Sequence, residues 1–221
     1  LIDKIQETGA PLAYFANPDN PMGTWHDAAT VQRLIDRIPD GCVLVLDEAY
    51  IDFAPEGTAP DLDPANPKVL RMRTFSKAHG MAGLRIGYTI APKDLITGLN
   101  KVRNHFENNR LAQVAALASL QDLSFVQSVC QEVARGREEI YALAKGLGLT
   151  ALPSATNFVA IDMGRDGDYA RTVLKELDAR GVFVRMPGVA PLDRCIRVTV
   201  GTQQDREIFG ERLTEVLASL A

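Results

Sequence analysis

Residues 69–90 read VLRMRTFSKAHGMAGLRIGYTI, and this stretch decides the fold class because two runs typical of strands flank a glycine-rich segment. The runs at 69–74 and 85–90 have the length and side-chain content of buried strands. Between the runs, residues 74–85 hold two glycines, two hydroxyl side chains, a lysine and an arginine. The stretch therefore predicts two strands joined by a polar loop whose glycines allow close approach of a ligand to the backbone.

The residues before this stretch alternate between strand and helix patterns. Apolar runs at 12–16 and 43–46 are typical of strands, and the second run ends in Asp47. Between them, residues 27–38 carry apolar side chains at helical spacing. Such alternation is typical of a parallel sheet with crossover helices, so we expect an α/β domain.

The pattern becomes helical from residue 92 and later changes again. We expect helices at 111–120 and 125–147, the second long enough to connect two lobes. Short strand and helix patterns follow, which suggests a small α+β lobe. Its expected strands are residues 157–162, 182–185 and 195–200, and its expected helices are residues 169–179 and 205–220. The expected domains are residues 1–123 and 124–221.

Composition narrows the classes of function. The chain has 221 residues, of which 46% are hydrophobic and 24% are charged, as in ordinary globular proteins. A formal net charge of −4 and scattered arginines argue against a nucleic-acid partner. Three distant cysteines without CxxC spacing indicate neither disulfides nor a metal site, and they fit a reducing cytoplasm. No apolar run reaches the roughly 20 residues that a membrane-spanning helix needs.

Polar residues that follow apolar runs are the candidates for a ligand site, because ligands of parallel sheets bind at the carboxyl ends of the strands. NPDNPMG at 17–23 is one such segment, with a plain Pro/Gly/Asn loop as the alternative. DEAY at 47–50 is another: Asp47 in a partly desolvated cleft needs a cationic or N–H partner, or it merely caps the next helix. Glu48 is expected to point away from the site, since neighbours in a strand alternate faces.

Two further strand ends carry cations. The loop at 74–85 offers hydroxyl groups and the Arg85 guanidinium, which suit a phosphate group. Lys77, in a cleft beside a cation, would lose its proton easily and form an imine with a carbonyl, whereas a solvated surface lysine is the alternative. Arg197, in CIRVTVGT at 195–202, suits a carboxylate, with a surface ion pair as the alternative.

One chemistry uses all four strand ends. Catalysis with pyridoxal 5′-phosphate (PLP) needs a lysine that forms a Schiff base, an acid that keeps the pyridine nitrogen protonated, and an anchor for the phosphate. It also needs hydrogen-bond donors to the ring's 3′ oxygen and an arginine for the substrate's carboxylate. The combination indicates a PLP enzyme far more specifically than any single member does.

The motifs and their order resemble fold-type I PLP enzymes of the class I/II aminotransferase group, and most of all the histidinol-phosphate aminotransferase family. NPDNPMG resembles that family's NPNNPTG, and VLVLDEAYIDF, TFSKAHGMAGLRIGY and CIRVTVGT resemble its later motifs. The resemblance implies a large domain of the aspartate aminotransferase type with a mostly parallel sheet, and a small C-terminal α+β domain. It further implies amino transfer from histidinol phosphate to an oxo acid such as 2-oxoglutarate, in histidine biosynthesis, by a cytoplasmic homodimer.

Carried over residue by residue, the resemblance implies a role for each candidate. Lys77 is the catalytic residue, which forms the Schiff base with PLP and moves a proton at the substrate. The other implied cofactor contacts are Asp47 at the pyridinium nitrogen, Asn20 and Tyr50 at the 3′ oxygen, and Thr74, Ser76 and Arg85 at the phosphate. For the substrate, Arg197 would contact the α-position group or the carboxylate of the oxo acid, and Arg185 would contact the phosphate.

The chain also departs from the family pattern. Met22 and Asp19 replace a Thr and an Asn of NPNNPTG, and PGVAPLDR at 187–194 replaces a Gly-Tyr-Gly-like stretch. The family's N-terminal arm, its glycine-rich phosphate loop and its aromatic residue that stacks on the cofactor all precede NPNNPTG and have no counterpart in these 221 residues. We therefore expect an N-terminally truncated member with an exposed apolar face.

Several alternatives stay open on the sequence alone. An aromatic amino-acid transaminase or a threonine-phosphate decarboxylase would use the same constellation of residues. A PLP-binding sensor module and a catalytically inactive fragment are further readings. The sequence does not separate these four from the leading expectation.

Overall fold

A computed structural model describes residues 1–104 and 106–220. The chain forms two compact units. The first comprises Leu1–Pro18 and Trp25–Ser128, and the second comprises Asp19–Thr24 and the residues from Val129 onward. Residues 19–24 thus group with the second unit although they lie early in the chain. The domain boundary at residue 123 stays a prediction.

The first unit is built on a four-stranded sheet in the order β1-β2-β3-β4. The strands are β1 (Leu12–Ala16), β2 (Val43–Asp47), β3 (Val69–Thr74) and β4 (Gly87–Ile90). The first three are parallel, and β4 runs antiparallel to β3. This confirms the α/β class with a mostly parallel sheet. The strand predicted from residue 85 begins instead at Gly87, because Arg85 adopts a left-handed backbone conformation with φ 52° that no strand accommodates.

Two helices cover one face of this sheet, α1 (Ile2–Thr8) and α2 (Ala28–Asp36). The Asp27 side chain caps α2 by accepting a hydrogen bond from the Thr30 amide at 2.7 Å. The apolar side chains buried together between helices and strands are Ile2, Ile5, Ala13, Val31, Ile35, Ile38, Cys42, Leu44, Leu46 and Val69. Burying each of the larger ones contributes about 1.5–3 kcal/mol, so this layer holds the strand ends in place.

The opposite face of the sheet carries exposed apolar side chains. Leu12 and Tyr14 of β1 and Met72 of β3 are all exposed. They alternate along their strands with the buried Ala13 and Arg71, as the pleat requires. The exposed apolar face expected from the sequence is therefore present on this side of the sheet.

Three helices follow β4, namely α3 (Lys93–Val102), α4 (Arg110–Gln121) and α5 (Leu123–Gly146). The last two match the helices predicted at 111–120 and 125–147 to within two residues, which is the usual scatter of helix ends. The described residues contain no helix that is both long enough and apolar enough to cross a membrane. They also contain no cluster of three or more side chains suited to hold a metal ion.

The second unit has an antiparallel sheet in the order β5-β6-β7, with strands Thr150–Ala151, Phe158–Asp162 and Cys195–Thr199. Helices α6 (Gly167–Ala179) and α7 (Gln203–Ser219) pack their apolar stripes into its core. The strand predicted at 182–185 is wrong, because only Arg185 forms a bridge, with Arg197. Pro187 has no N–H to extend the ladder, and Phe183 is exposed.

Candidate active site

The carboxyl ends of three parallel strands meet at one edge of the first unit's sheet. β1 ends at Ala16, β2 at Asp47 and β3 at Thr74. Ala16 pairs with Asp47, and Asp47 pairs with Met72, two residues before Thr74. The polar residues that follow these strands therefore lie along the edge where parallel sheets bind ligands.

Asp47 is held by two donors at this edge. The Ala49 amide donates to Oδ1 at 2.9 Å, and the Tyr14 hydroxyl donates to Oδ2. The bond from Ala49 is a turn contact two residues along the chain. The helix cap considered as the alternative role is not formed, because the helical turn that follows, Ile51–Phe53, has Tyr50 at its N-cap and no side-chain cap. Tyr14 was missed by sequence reasoning, although strand alternation puts it on the same face as its β2 neighbour Val45 and hence as Asp47. The two bonds fix the orientation of the carboxylate.

Lys77 lies in the loop that follows β3. Its side chain is half-buried, and its Nζ lies 5.0 Å from the centroid of the Tyr50 ring. Tyr50 itself is buried. Within residues 1–104 and 106–220, no carboxylate lies within ion-pair distance of the amine. A half-buried amine against an aromatic ring differs from the solvated surface lysine considered as the alternative.

The loop that carries Lys77 is closed by its own hydrogen bonds. Thr74 Oγ1 accepts from the Ser76 amide at 3.0 Å, and the Met81 amide donates to the Phe75 carbonyl at 2.9 Å. Arg85, at the end of this loop, is exposed and donates to the Ala82 carbonyl at 2.8 Å. No carboxylate of the described residues pairs with Arg85. The loop therefore combines hydroxyl groups with two cations that no described carboxylate neutralises, a set suited to an anion.

The second unit holds the other three candidates. Arg197 of β7 donates from Nη1 to Asn20 Oδ1 at 2.5 Å, and its guanidinium carbon lies 4.7 Å from the centroid of the Phe158 ring. Arg185 and Arg197 exchange backbone hydrogen bonds, 3.1 Å from the Arg185 amide and 2.6 Å from the Arg197 amide. Residues paired in this way project their side chains from the same face of a sheet. Two guanidinium groups thus share one face.

The turn that presents Asn20 explains both departures from the family motif. The carboxylate of Asp19 accepts a hydrogen bond from the Met22 amide at 3.2 Å, so an acid serves where the family has an amide. Met22 is buried against Ala160 and Cys195, where a thioether fills the available space. Both substituted residues therefore have partners within the second unit.

The turn also depends on Gly23, which gives a prediction. Gly23 has φ +81°, and a Cβ added there would lie 2.4 Å from Ser154 Oγ. Gly181, in the same unit, has φ +79° and no atom within 4 Å of such a Cβ. We expect Gly23→Ala to lower the free energy of unfolding by about 1–3 kcal/mol more than Gly181→Ala does, because it adds overpacking to the same backbone strain.

Denaturant unfolding of both variants measures this difference. Equal losses in the two variants would contradict it, since they would mean that Ser154 moves aside without cost.

The structure thus brings the sequence candidates together in two sets. The first unit holds Asp47, Tyr50, Thr74, Ser76, Lys77 and Arg85, and the second holds Asn20, Arg185 and Arg197. The first set lies at strand ends or in the loops that follow them. In the second set, Arg197 lies in the middle of β7, Arg185 bridges to it from the segment before β7, and Asn20 lies in a turn bound to β7.

Solved structures and curated sequences resemble this chain over 95% or more of its length. A histidinol-phosphate aminotransferase from Sinorhizobium meliloti, solved in complex with pyridoxal 5′-phosphate, superposes with a TM-score of 0.97 and 43% identity, over 100% of this chain and 61% of that one. Histidinol-phosphate aminotransferase 2 of Carboxydothermus hydrogenoformans is 39% identical over 215 residues, which are 95% of this chain and 58% of the relative.

Histidinol-phosphate aminotransferase of Bacillus subtilis strain 168 is 35% identical over 220 residues, which are 98% of this chain and 60% of the relative. This chain therefore spans somewhat more than half the length of these curated relatives. The family model "Aminotransferase class I and II" matches residues 1–213. With its lysine loop, its acid-ended strand and its paired arginines in the order that the motifs predicted, the chain belongs to the class I and II aminotransferase family.

Proposed function

We propose that this chain acts in a PLP-dependent aminotransferase that moves an amino group from histidinol phosphate to an oxo acid such as 2-oxoglutarate. The observation that carries the proposal is the pair of cations without carboxylate partners in the described chain, Lys77 and Arg85, in one loop at the sheet edge where Asp47 ends the neighbouring strand. The names of the relatives at 39% and 43% identity support the choice of substrate.

The candidate residues fit the chemical groups of PLP. The cofactor has a phosphate, a basic ring nitrogen, a ring oxygen and an aldehyde, and the chain offers a partner for each. We assign Thr74, Ser76 and Arg85 to the phosphate, Asp47 to the ring nitrogen, Asn20 and Tyr50 to the 3′ oxygen, and Lys77 to the aldehyde carbon. Hydroxyl groups and a guanidinium are strong partners of a phosphate, and a fixed carboxylate suits a protonated ring nitrogen.

When bound, PLP supplies a protonated pyridine ring that stabilises negative charge at the substrate's α-carbon. Asp47, oriented by Ala49 and Tyr14, keeps the ring nitrogen protonated. Lys77 Nζ would accept the proton from the substrate's α-carbon as a general base. The loop hydrogen bonds described above hold this amine in position during the transfer.

The shared face of Arg185 and Arg197 supports a substrate with a distant anionic group. Arg197 would contact the carboxylate of the oxo acid or the α-position group of the donor, and Arg185 the donor's phosphate. Arg185 is exposed, and its guanidinium carbon lies 6.0 Å from the centroid of the Phe183 ring. No carboxylate of the described residues pairs with it. Its N–H groups are therefore available to an incoming phosphate.

A panel of amino donors tests the substrate. With 2-oxoglutarate as acceptor, histidinol phosphate should give a higher kcat/KM than phenylalanine or tyrosine, and threonine phosphate should not lose carbon dioxide. We expect Arg185→Gln to lower kcat/KM for histidinol phosphate by about 10- to 100-fold, the value of one charge-assisted hydrogen bond, and to change the value for phenylalanine far less. Arg212→Gln, in an exposed ion pair with Glu215, is the control.

Two results would count against this choice. Turnover of aromatic amino acids without turnover of histidinol phosphate would mean that the amino donor is an aromatic amino acid. An equal effect of Arg185→Gln on both donors would remove Arg185 from phosphate recognition.

A second copy of the chain is the proposed protein partner. Along α4, Leu111, Val114, Leu117 and Leu120 recur every three residues, and each is between 48% and 77% exposed. A contiguous apolar stripe of this kind on a helix favours burial against another protein surface, and a homodimer is the commonest solution. The three cysteines are free thiols, which fits a reducing compartment such as the cytoplasm.

We expect Leu117→Glu to weaken the dimer by more than about tenfold, because a carboxylate buried in an apolar contact is left without a partner. Leu62→Glu makes the same change at a side chain of similar exposure outside the stripe, 53% against 59%. Sedimentation velocity over a concentration series measures both. Identical dissociation in the two variants would mean that α4 lies outside the interface.

A further inference from the structure

A buried ion cluster lies beneath the candidate site, on the other face of the first unit's sheet. The Glu48 carboxylate is 1% exposed and accepts from Arg71 Nη2 at 2.5 Å and Nε at 3.1 Å, and from Arg73 Nε at 2.9 Å. Arg71 also donates to the carbonyl groups of Pro60 and Asp61 at 3.1 and 3.0 Å. Glu48 thus points away from the site, as predicted, and joins the end of β2 to two side chains of β3.

Stability alone does not account for this cluster. Burying charges costs free energy, and well-packed apolar side chains of similar volume often stabilise a core as well or better. Two guanidinium groups bond the Glu48 carboxylate, and 27% of the Arg73 side chain remains exposed to solvent. Asp52 is a second carboxylate beside the cluster, where it interacts electrostatically with Arg73 and Glu48, and burial raises its pKa. Unlike apolar packing, charged hydrogen bonds are directional, and they specify which residues of two strands lie side by side.

The direction of each side chain links the cluster to the site. Successive residues of a strand point to opposite faces, so a fixed Glu48 directs Asp47 to the site face. The same alternation on β3 directs Thr74 to the site face when Arg73 is held below it. The Glu48 amide donates to the Met72 carbonyl at 2.9 Å and extends this register by one residue past the strand. A slip of one residue would turn Asp47 toward the buried face.

We propose that Glu48 is a positioning residue that, with Arg71 and Arg73, holds Asp47 and Thr74 on the face where the cofactor binds. The inference rests on the proposed PLP function and deepens it. Glu48 acts through Asp47, which faces the ring nitrogen, and through β3, which leads into the loop that carries Lys77. Without its charge, the ends of both strands gain freedom, PLP binds less tightly, and the ring nitrogen loses its well-placed partner.

The test compares Glu48→Gln with the double variant Glu48→Met/Arg71→Met, which replaces the closest ion pair by apolar side chains. Thermal unfolding of the cofactor-free protein reports the folding defect. Absorbance titration with PLP gives the dissociation constant, and the pH dependence of the bound band reports the charge at the ring nitrogen. Glu215→Gln makes the same chemical change in the exposed pair with Arg212 and is the control.

We expect Glu48→Gln to weaken PLP binding at least about tenfold, as for other residues that orient a ligand-binding side chain. The double variant should recover most of the lost unfolding temperature, yet keep the weakened binding and a shifted pH profile. Glu215→Gln should change neither quantity. If the double variant does not fold, the PLP affinity and pH profile of Glu48→Gln, measured below its own unfolding temperature, test the inference.

Wild-type affinity and pH profile in the folded variant would overturn the inference and leave Glu48 with a structural role only. Failure of the unaltered protein to bind PLP would overturn the proposed function, and this inference with it. The two failures are distinguishable, because only the second affects the unaltered protein.

Discussion

Lys77→Ala is expected to abolish the covalent attachment of PLP and to lower kcat by more than about 10³-fold, while the cofactor-free protein unfolds at nearly the same temperature. A positioned general base alone accounts for about 10²–10⁴-fold, and the role proposed for Lys77 adds a covalent bond to the cofactor. The side chain is half-buried against the Tyr50 ring and forms no ion pair within the described residues, so its removal disturbs little of the fold.

The measurement is the absorbance of the protein with PLP before and after borohydride reduction, followed by peptide mass analysis. Reduction should lock the cofactor onto the peptide that contains Lys77 and onto no other. Lys93→Ala, at the exposed first residue of α3, is the control and should behave as the unaltered protein. A reducible band that persists in Lys77→Ala would assign the cofactor to another amine.

Asp47→Asn is expected to have the second-largest effect, a loss of about 10- to 10³-fold in kcat. A carboxylate within contact distance shifts the pKa of a cation by about 1–3 units, and each unit corresponds to about 1.4 kcal/mol. The amide has the same shape and can still accept a hydrogen bond from Ala49 or Tyr14, so the strand end should stay in place. The variant therefore removes the charge and leaves the geometry.

A cofactor analogue with a methyl group on the ring nitrogen separates charge from geometry. Its nitrogen stays positive without help from Asp47, so it should restore much of the activity lost in Asp47→Asn. Asp40→Asn removes an exposed carboxylate that pairs with Lys68 at 2.8 Å and serves as the control. An unchanged kcat in Asp47→Asn, or no recovery of activity with the analogue, would contradict the proposed interaction between Asp47 and the ring nitrogen.

Local patterns in the sequence predicted much of the sheet. The segments at 12–16 and 69–74 form β1 and β3 with the same bounds, because five or six residues that begin with apolar side chains are too short for a helix and suit a strand. The candidate site followed from the polar residues after each run, since parallel strands bring their carboxyl ends to one edge. The roles of those residues stay proposals, with tests described above.

Other features escaped the patterns for identifiable reasons. Arg85 was expected to begin a strand, but its left-handed backbone turns the chain two residues earlier than β4. Residues 182–185 have strand composition, yet Pro187 and the exposed Phe183 leave a single bridge at Arg185. In both cases a local backbone constraint outweighed side-chain composition.

Periodicity along the chain thus specified the elements, their order and the faces of each strand, because these depend on neighbours a few residues apart. The partners of the site residues depend on register between distant segments. Tyr14 meets Asp47 across 33 residues, and Arg197 meets Asn20 across 177. Such contacts form only after the strands have paired and the turns have closed. The tertiary structure therefore determines the contacts that orient the site.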